Sequence, residues 1–260
     1  MSETGVVTER RGSSLILSMI NPGRRNALHP QMVAALCEAV TAAGSDPEIR
    51  AVVLTGLDGH FCSGADLSRD PPGDSGENAV RARMQAAQRL VQLIAHLPKP
   101  VIAAVEGDAF GGGLSIAAAC DVVVAAEGAR FGAAFVRIGL IPDLGLLYTL
   151  PARIGEARAK RLMMTGRAMA CEEAVALGLA DEASPRGGAL DRGLDLAREF
   201  DASAPLSIQA IKTAMARGLP SMEAALQYEL DVIPSLAVSE DHRAARRAFL
   251  AKTPIHFIGR

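Results

Sequence analysis

The sequence predicts an α/β protein that ends in a helical region. Three features indicate this: short apolar runs alternate with helical patterns, glycine-rich turns follow two of those runs, and helical patterns dominate from Leu190 onward. Strands that alternate with helices indicate βαβ crossovers and a largely parallel sheet. We therefore predict an α/β core over residues 1–190 and a helical carboxyl-terminal region over residues 191–260.

Local patterns define the amino-terminal elements. Residues 6–10 and 14–20 have strand-like composition and flank a glycine, which predicts a hairpin. Residues 30–43 carry apolar side chains at helical spacing and begin with a proline, which predicts a helix. Residues 50–56 form a short run rich in β-branched residues, which is typical of a strand buried on both faces.

The central part of the chain begins with a predicted loop. Residues 68–76 are dense in Pro, Gly, Asp and Ser, the residues that favour turns, and we expect this loop to close over a bound ligand. The elements predicted after it are, in order, a helix over residues 78–96, a strand over 101–105, a helix over 114–119 and a strand over 122–126.

Composition excludes several classes of protein. The 27 Lys and Arg balance 29 Asp and Glu, so the net charge of −2 gives no reason to expect nucleic acid or an anionic membrane as partner. Cys37, Cys62, Cys120 and Cys171 are scattered, which argues against disulfides and a zinc site. No apolar run approaches the roughly 18 residues that cross a bilayer. We expect a cytoplasmic location, no metal and no separate cofactor.

Two glycine-containing turns, residues 59–67 and 106–115, each follow a buried strand. Glycine lets a ligand approach the backbone closely and leaves N–H groups unshielded. The second turn also leads into a helix, whose amino terminus favours an anionic oxygen. Two such turns side by side would form an oxyanion hole. The alternatives are simple tight connections or a phosphate-binding loop, although the motif GxxxxGK[ST] is absent.

Several motifs, in the same order and at compatible spacing, resemble the crotonase (enoyl-CoA hydratase/isomerase) superfamily. They extend over nearly the whole chain. The matching segments are residues 21–28 (NPGRRNAL), 61–67 (FCSGADL), 98–105 (PKPVIAAV), 111–113 (GGG), 119–121 (ACD), 130–132 (RFG), 139–142 (GLIP), 165–166 (TG) and 257–260 (FIGR).

The resemblance implies the crotonase (ClpP-like) fold of stacked ββα units, an acyl-CoA thioester as substrate, and a homotrimer or homohexamer. It assigns the oxyanion donors to the N–H groups of Ser63 and Gly112. Substrate contacts are implied along the backbone of Ala65, Asp66 and Leu67, at Arg24 or Arg25, beside the acyl chain at Phe135, and from a neighbouring subunit through Phe249 and Lys252. For the Arg and Lys side chains, the alternative is a solvated surface charge.

The acid–base residues depart from the hydratase pattern. Family hydratases use two glutamates, whose positions are taken in this chain by Ser115 and Phe135. A third acidic position is kept, because Asp143 follows Ile141-Pro142 where dienoyl-CoA isomerases and phenylacetate-pathway epoxide isomerases have a catalytic aspartate. The alternative for Asp143 is an ordinary turn residue.

These observations predict an enzyme of the hydratase/isomerase family that shifts a double bond by proton transfer through Asp143. One alternative is hydration of a 2-enoyl-CoA by an atypical base. The other is a protein that binds acyl-CoA without catalysis. General acid–base help from one group is typically worth about 10²- to 10⁴-fold, so the two missing glutamates argue against efficient hydration.

Overall fold

The structure, a computed structural model, describes residues 4–67 and 76–260. In these residues the larger sheet has the strand order β1-β2-β3-β4-β6-β9, and a smaller sheet has the order β5-β7-β8. The strands are β1 (Gly5–Arg11), β2 (Ser14–Ile20), β3 (Ala51–Gly56), β4 (Val101–Val105), β5 (Asp108–Phe110), β6 (Val122–Ala126), β7 (Arg130–Gly132), β8 (Ala168–Ala170) and β9 (Glu182–Ser184).

Helices cover both faces of the larger sheet and form the carboxyl-terminal region. They are α1 (Pro30–Ser45), α2 (Glu77–His96), α3 (Gly112–Ala119), α4 (Leu146–Ile154), α5 (Glu156–Thr165), α6 (Cys171–Leu177), α7 (Ala189–Asp201), α8 (Pro205–Arg217), α9 (Met222–Ala237) and α10 (Glu240–Ala251). A 3₁₀ helix spans Ala134–Ile138. No described helix is both long enough and apolar enough to cross a membrane.

The strand predictions are confirmed. Strands β1 and β2 form the predicted antiparallel hairpin, and β2, β3, β4, β6 and β9 run parallel. Alternate residues of β3 face opposite cores: Val52 and Leu54 pack toward α1 and α2, whereas Ala51 and Val53 pack toward α7. A strand covered on both faces is apolar at nearly every position, which is why its sequence shows no alternation.

The predicted boundary at residues 190/191 falls inside α7 and needs correction. Leu194 and Ala197 of this helix are buried in one cluster with Ile102 and Ala104 of β4. Helix α7 is therefore part of the α/β core, because it covers the second face of the sheet. The helices with little burial begin with α8, and α9 buries none of its residues in the single chain.

The smaller sheet places the two glycine-containing turns side by side. Strand β5 pairs with β7, and an isolated parallel bridge joins Cys62 to Ala109 of β5. Helix α3 starts at Gly112, two residues earlier than the sequence predicts. Of the predicted loop over residues 68–76, only Gly76 lies within the described residues.

Candidate active site

The two turns touch through their backbones. A Cβ atom at Gly64 would lie 3.0 Å from the carbonyl oxygen of Phe110, and one at Gly113 would lie only 2.2 Å from the carbonyl oxygen of Cys62. Side chains are therefore excluded where the turns meet. Glycine is required at Gly64 and Gly113 because any side chain there would collide with the backbone of the other turn.

On the first turn, the structure corrects the predicted donor. The Ser63 N–H already donates to the carbonyl oxygen of Arg25 at 3.0 Å, so it is not free for a ligand. The two residues that flank Ala65 both bond to Leu28. Leu28 N–H donates to Gly64 O at 2.7 Å, and Asp66 N–H donates to Leu28 O. The Ala65 N–H thus points away from Leu28 and donates to no acceptor in the described residues.

The second turn leaves its predicted donor available. Gly111 N–H donates to Gly132 O at 2.8 Å, whereas Gly112 N–H, the first amide of α3, has no acceptor in residues 4–67 or 76–260. A Cβ atom at Gly112 would lie 2.8 Å from Leu28 Cδ1. Leu28 thus contacts both turns, and it brings the free amides of Ala65 and Gly112 into one small region.

Asp143 borders the same region. A Cβ atom at Gly112 would lie 3.3 Å from Leu144 Cδ1, which places the residue after Asp143 directly on the amide-bearing glycine. Asp143 Oδ1 is inaccessible to solvent and has no hydrogen-bond partner among the described residues. Burial raises the pKa of the Asp143 carboxyl to about 6, because a charged carboxylate loses hydration there.

The backbone after Asp143 is strained. Leu144 has φ 50° and Gly145 has φ 78°, and Leu146 N–H donates back to Asp143 O at 3.0 Å. Positive φ at both central residues is the pattern of a type I′ turn, which a leucine rarely adopts. Such a residue costs on the order of 1–3 kcal/mol, and it persists only where the surrounding structure fixes it.

Ser115 and Phe135, which take the positions of the two glutamates in the resembling hydratases, bring no carboxylate to the site. Ser115 is fully buried, and its hydroxyl lies 3.0 Å from Asp143 O and 3.2 Å from Gly111 O. Phe135 is buried in the 3₁₀ helix, with its ring 3.9 Å from the place where a Cβ of Gly111 would lie. Cys62 is no nucleophile, because burial raises the pKa of its thiol to about 12.

The acidic residues beside the second turn have structural partners. Glu106 accepts from the N–H groups of Gly187 and Ala189 at 3.1 and 3.0 Å, at the start of α7. Asp108, with a side chain only 5% exposed, accepts from Arg130 at 2.7 Å and from Arg25 at 3.2 Å. Both carboxylates are satisfied, so Asp143 is the acidic group of this region that lacks a side-chain partner among the described contacts.

The other predicted contact residues lie at the surface. Arg24 is exposed and its carbonyl oxygen accepts from the Ser63 hydroxyl at 3.0 Å. Leu67 is largely exposed, and Phe249 of α10 is 84% exposed. Lys252 ends α10 in a left-handed conformation. Neither Phe249 nor Lys252 contacts the site in the single described chain, so their predicted role in a neighbouring subunit stays a prediction.

Within the described residues, no group of three or more His, Cys, Asp or Glu side chains is placed to hold a metal ion. The site therefore consists of two free amides, one desolvated carboxyl and apolar neighbours. Preorganised amides stabilise a developing oxyanion, and a carboxyl with a pKa near neutrality can exchange protons with carbon acids. The arrangement suits removal of a proton next to a carbonyl group.

Known proteins of one family are similar to this chain in sequence and in fold. A family model described as enoyl-CoA hydratase/isomerase matches residues 9–260. Enoyl-CoA hydratase EchA19 of Mycobacterium tuberculosis is 35% identical, over 98% of this chain and 96% of that protein. The 1,2-epoxyphenylacetyl-CoA isomerase of Escherichia coli is 33% identical, over 99% of this chain and 97% of that protein. The crystal structure of an enoyl-CoA hydratase from Polaromonas sp. JS666 superposes with a TM-score of 0.91 at 34% identity, covering 97% of this chain and 99% of that one.

Proposed function

Because the chain belongs to the enoyl-CoA hydratase/isomerase (crotonase) family, we propose that it shifts a double bond in an unsaturated acyl-CoA by proton transfer through Asp143. One observation carries this proposal. The carboxyl of Asp143 is desolvated and unpaired beside two free amides, while the two positions that hold glutamates in hydratases hold Ser115 and Phe135.

The proposed reaction starts from a 3-enoyl-CoA. The Asp143 carboxylate removes a proton from C2, and the electron pair moves into the thioester carbonyl to give a dienolate. The amides of Ala65 and Gly112 stabilise its oxygen, and each such donor is worth about 3–4 kcal/mol in comparable sites. The same carboxyl then returns the proton to C4, which leaves the double bond between C2 and C3. No water is consumed, and the carboxylate is regenerated.

Hydration of a 2-enoyl-CoA is the second candidate, because two of the three similar proteins described above are named hydratases. Hydration requires a group that orients and deprotonates water. Phe135 places an aromatic ring where the second glutamate would stand, and the Ser115 hydroxyl already donates to a backbone carbonyl. We expect hydration about 10²- to 10⁴-fold slower than in two-glutamate enzymes.

The products of the two candidate reactions differ in mass and in deuterium content. The purified protein is incubated in D₂O with trans-3-hexenoyl-CoA and, separately, with crotonyl-CoA, and the products are analysed by mass spectrometry. Isomerisation gives a conjugated 2-enoyl product without added water, and solvent deuterium enters wherever the carboxyl exchanges its proton. Hydration of crotonyl-CoA adds one water.

Asp143→Asn is the matched control in both incubations, since the amide keeps the shape of the side chain and cannot exchange a proton. Rapid hydration combined with slow isomerisation would overturn the proposal in favour of the hydratase. Tight binding of both thioesters without turnover by the parental protein would instead indicate a binding protein.

Assembly into a trimer or a dimer of trimers is also proposed. Met222, Leu226, Leu230 and Ile233 lie on one side of α9 at helical spacing, and all are exposed in the single chain, Leu230 by 68%. A contiguous apolar stripe of this kind marks an interface. Phe249 on the following helix and Lys252, directly after that helix, are proposed to complete the CoA site of the neighbouring subunit.

Sedimentation at micromolar concentration tests the assembly. We expect a trimer or hexamer for the parental protein and weaker association for Leu230→Asp, which puts a charge into the stripe. Gln227→Asp adds the same charge on α9 outside the stripe and should leave the assembly intact. A stable parental monomer would contradict the proposal.

A further inference from the structure

Ser115 lies in the first turn of α3, three residues after the amide-bearing Gly112. Its hydroxyl is within hydrogen-bond distance of two carbonyl oxygens, Asp143 O at 3.0 Å and Gly111 O at 3.2 Å. Gly111 O already accepts from Ser115 N–H at 3.0 Å. The single hydroxyl proton therefore serves best as a donor to Asp143 O, which joins α3 to a loop 28 residues further along the chain.

No other described residue holds the carboxyl of Asp143 from its side-chain end, where a hydrogen bond comes from its own backbone N–H. Oδ1 has no partner, and no described side chain donates to either oxygen. The orientation of the carboxyl therefore depends on the backbone that carries it. That backbone runs into Leu144 with φ 50°, a conformation that needs outside support in a bulky residue.

We infer that Ser115 is a positioning residue, which fixes the Asp143 turn against α3 through its hydroxyl bond to the Asp143 carbonyl. Gly112 and Ser115 belong to one helical turn, so this bond sets the carboxyl relative to the oxyanion amide. The inference rests on the proposed function of Asp143, and it assigns a role to the side chain that stands where hydratases have a glutamate.

Ser115→Ala removes the bond and leaves a slightly smaller side chain. Displacement of a catalytic group by about 1 Å costs up to about 10²-fold in rate, so we expect kcat for 3-enoyl-CoA isomerisation to fall about 10- to 100-fold. KM should change by less than about threefold, because the Ser115 side chain is fully buried and presents no surface to a ligand. Ser115→Cys, a near isostere with a weak S–H donor, should fall between the parental protein and Ser115→Ala.

The decisive readout is a double-mutant cycle. If Ser115 acts through Asp143, then Ser115→Ala should change the residual rate of Asp143→Asn by no more than about twofold. A purely structural role would lower the rate by the same factor in both backgrounds. Thr41→Ala is the matched control, since Thr41 donates from its hydroxyl to Cys37 O at 2.7 Å in an exposed position of α1, which carries none of the site residues, and its removal should leave kcat unchanged.

Thermal unfolding and CoA-thioester binding are measured for every variant. A parental kcat in Ser115→Ala overturns the inference, and so do multiplicative losses in the double variant. If Ser115→Ala fails to fold, the comparison of Ser115→Cys with and without Asp143→Asn decides by the same criterion. A parental rate in Asp143→Asn alone would overturn the proposed function instead, so the two failures are distinguishable.

Discussion

On one side of the site, the amides of Ala65 and Gly112 are placed by two turns whose backbones touch, whereas on the other side the Asp143 carboxyl is carried by a turn with positive φ at Leu144 and Gly145. The first side depends on the absence of side chains. The second side depends on one side chain and on a strained backbone held by its neighbours. Backbone amides can only stabilise the oxyanion, whichever reaction follows. The acid–base residue therefore decides which reaction the shared fold performs.

The two sides should also respond differently to mutation. Closely packed backbone on the amide side tolerates no added atoms, so substitutions there threaten the fold itself. The carboxyl side contains a half-buried acid whose Oδ1 has no partner, which costs stability and supplies reactivity. Substitution there should remove activity and leave the fold intact or more stable.

Gly113→Ala should have the largest effect on stability. The new Cβ would lie 2.2 Å from Cys62 O and 2.9 Å from Cys62 C, both backbone atoms that cannot move without separating the turns. We expect a loss of about 1–3 kcal/mol or more in the free energy of unfolding, together with nearly all activity. Urea unfolding and isomerase assays measure both.

Gly5→Ala is the matched control, because a Cβ at Gly5 would meet no atom within 4 Å. It should leave stability and activity nearly unchanged. If Gly113→Ala behaves in the same way as Gly5→Ala, the two turns are not packed as described, and the comparison between the two sides loses its structural basis.

Asp143→Asn should stabilise the folded protein in a pH-dependent manner. Burial raises the pKa of Asp143 from 3.8 to about 6, so the parental protein loses stability as the pH rises through that window and the buried carboxyl ionises. A shift of about two pKa units corresponds to about 3 kcal/mol, which partial exposure reduces to about 1–2 kcal/mol.

The Asn variant lacks this cost. The difference in free energy of unfolding, variant minus parent, should therefore increase from about pH 4 to about pH 6 and stay constant above pH 7. Urea titrations across this range measure it, and groups elsewhere cancel in the difference. A difference independent of pH would show that Asp143 is not desolvated in the folded state.

Ser63→Ala should have the smallest effect. The Ser63 hydroxyl donates to Arg24 O at 3.0 Å in an exposed position, and the Ser63 amide, which this substitution leaves in place, is bonded to Arg25 O. We expect turnover within about threefold of the parental value, the scale of one exposed hydrogen bond. A tenfold loss in kcat would mean that the Ser63 hydroxyl serves turnover beyond its bond to Arg24 O.

The fold was predictable from the sequence where burial leaves a strong pattern. The runs that became β3, β4 and β6 are apolar at almost every position because helices cover both faces of the sheet. The three-residue strands β5, β7 and β8 are too short to show any periodicity. The place of α7 in the core was also missed, because a helical pattern does not indicate which element it covers.

The site was predictable only in part, for a related reason. The glycines indicated where backbone amides approach a ligand, and Asp143 was identified by its place after Ile141-Pro142. Which amide of the first turn is free depends on the bridge between Leu28 and Ala65, a pairing of distant segments that local composition does not encode. Likewise, the bond from Ser115 to Asp143 O joins residues that only the folded chain brings together.

The pH dependence of isomerisation in the parental protein and in Asp143→Asn tests the central claim most directly. If the ionised carboxylate removes the proton, kcat/KM of the parental protein should rise with pH through an apparent pKa of about 6 and then level off. Asp143→Asn should bind the same thioester and show no such acidic limb, and its turnover should fall by about 10²-fold or more. An Asn variant with parental turnover and an unchanged acidic limb would contradict the account, because another group would then move the proton.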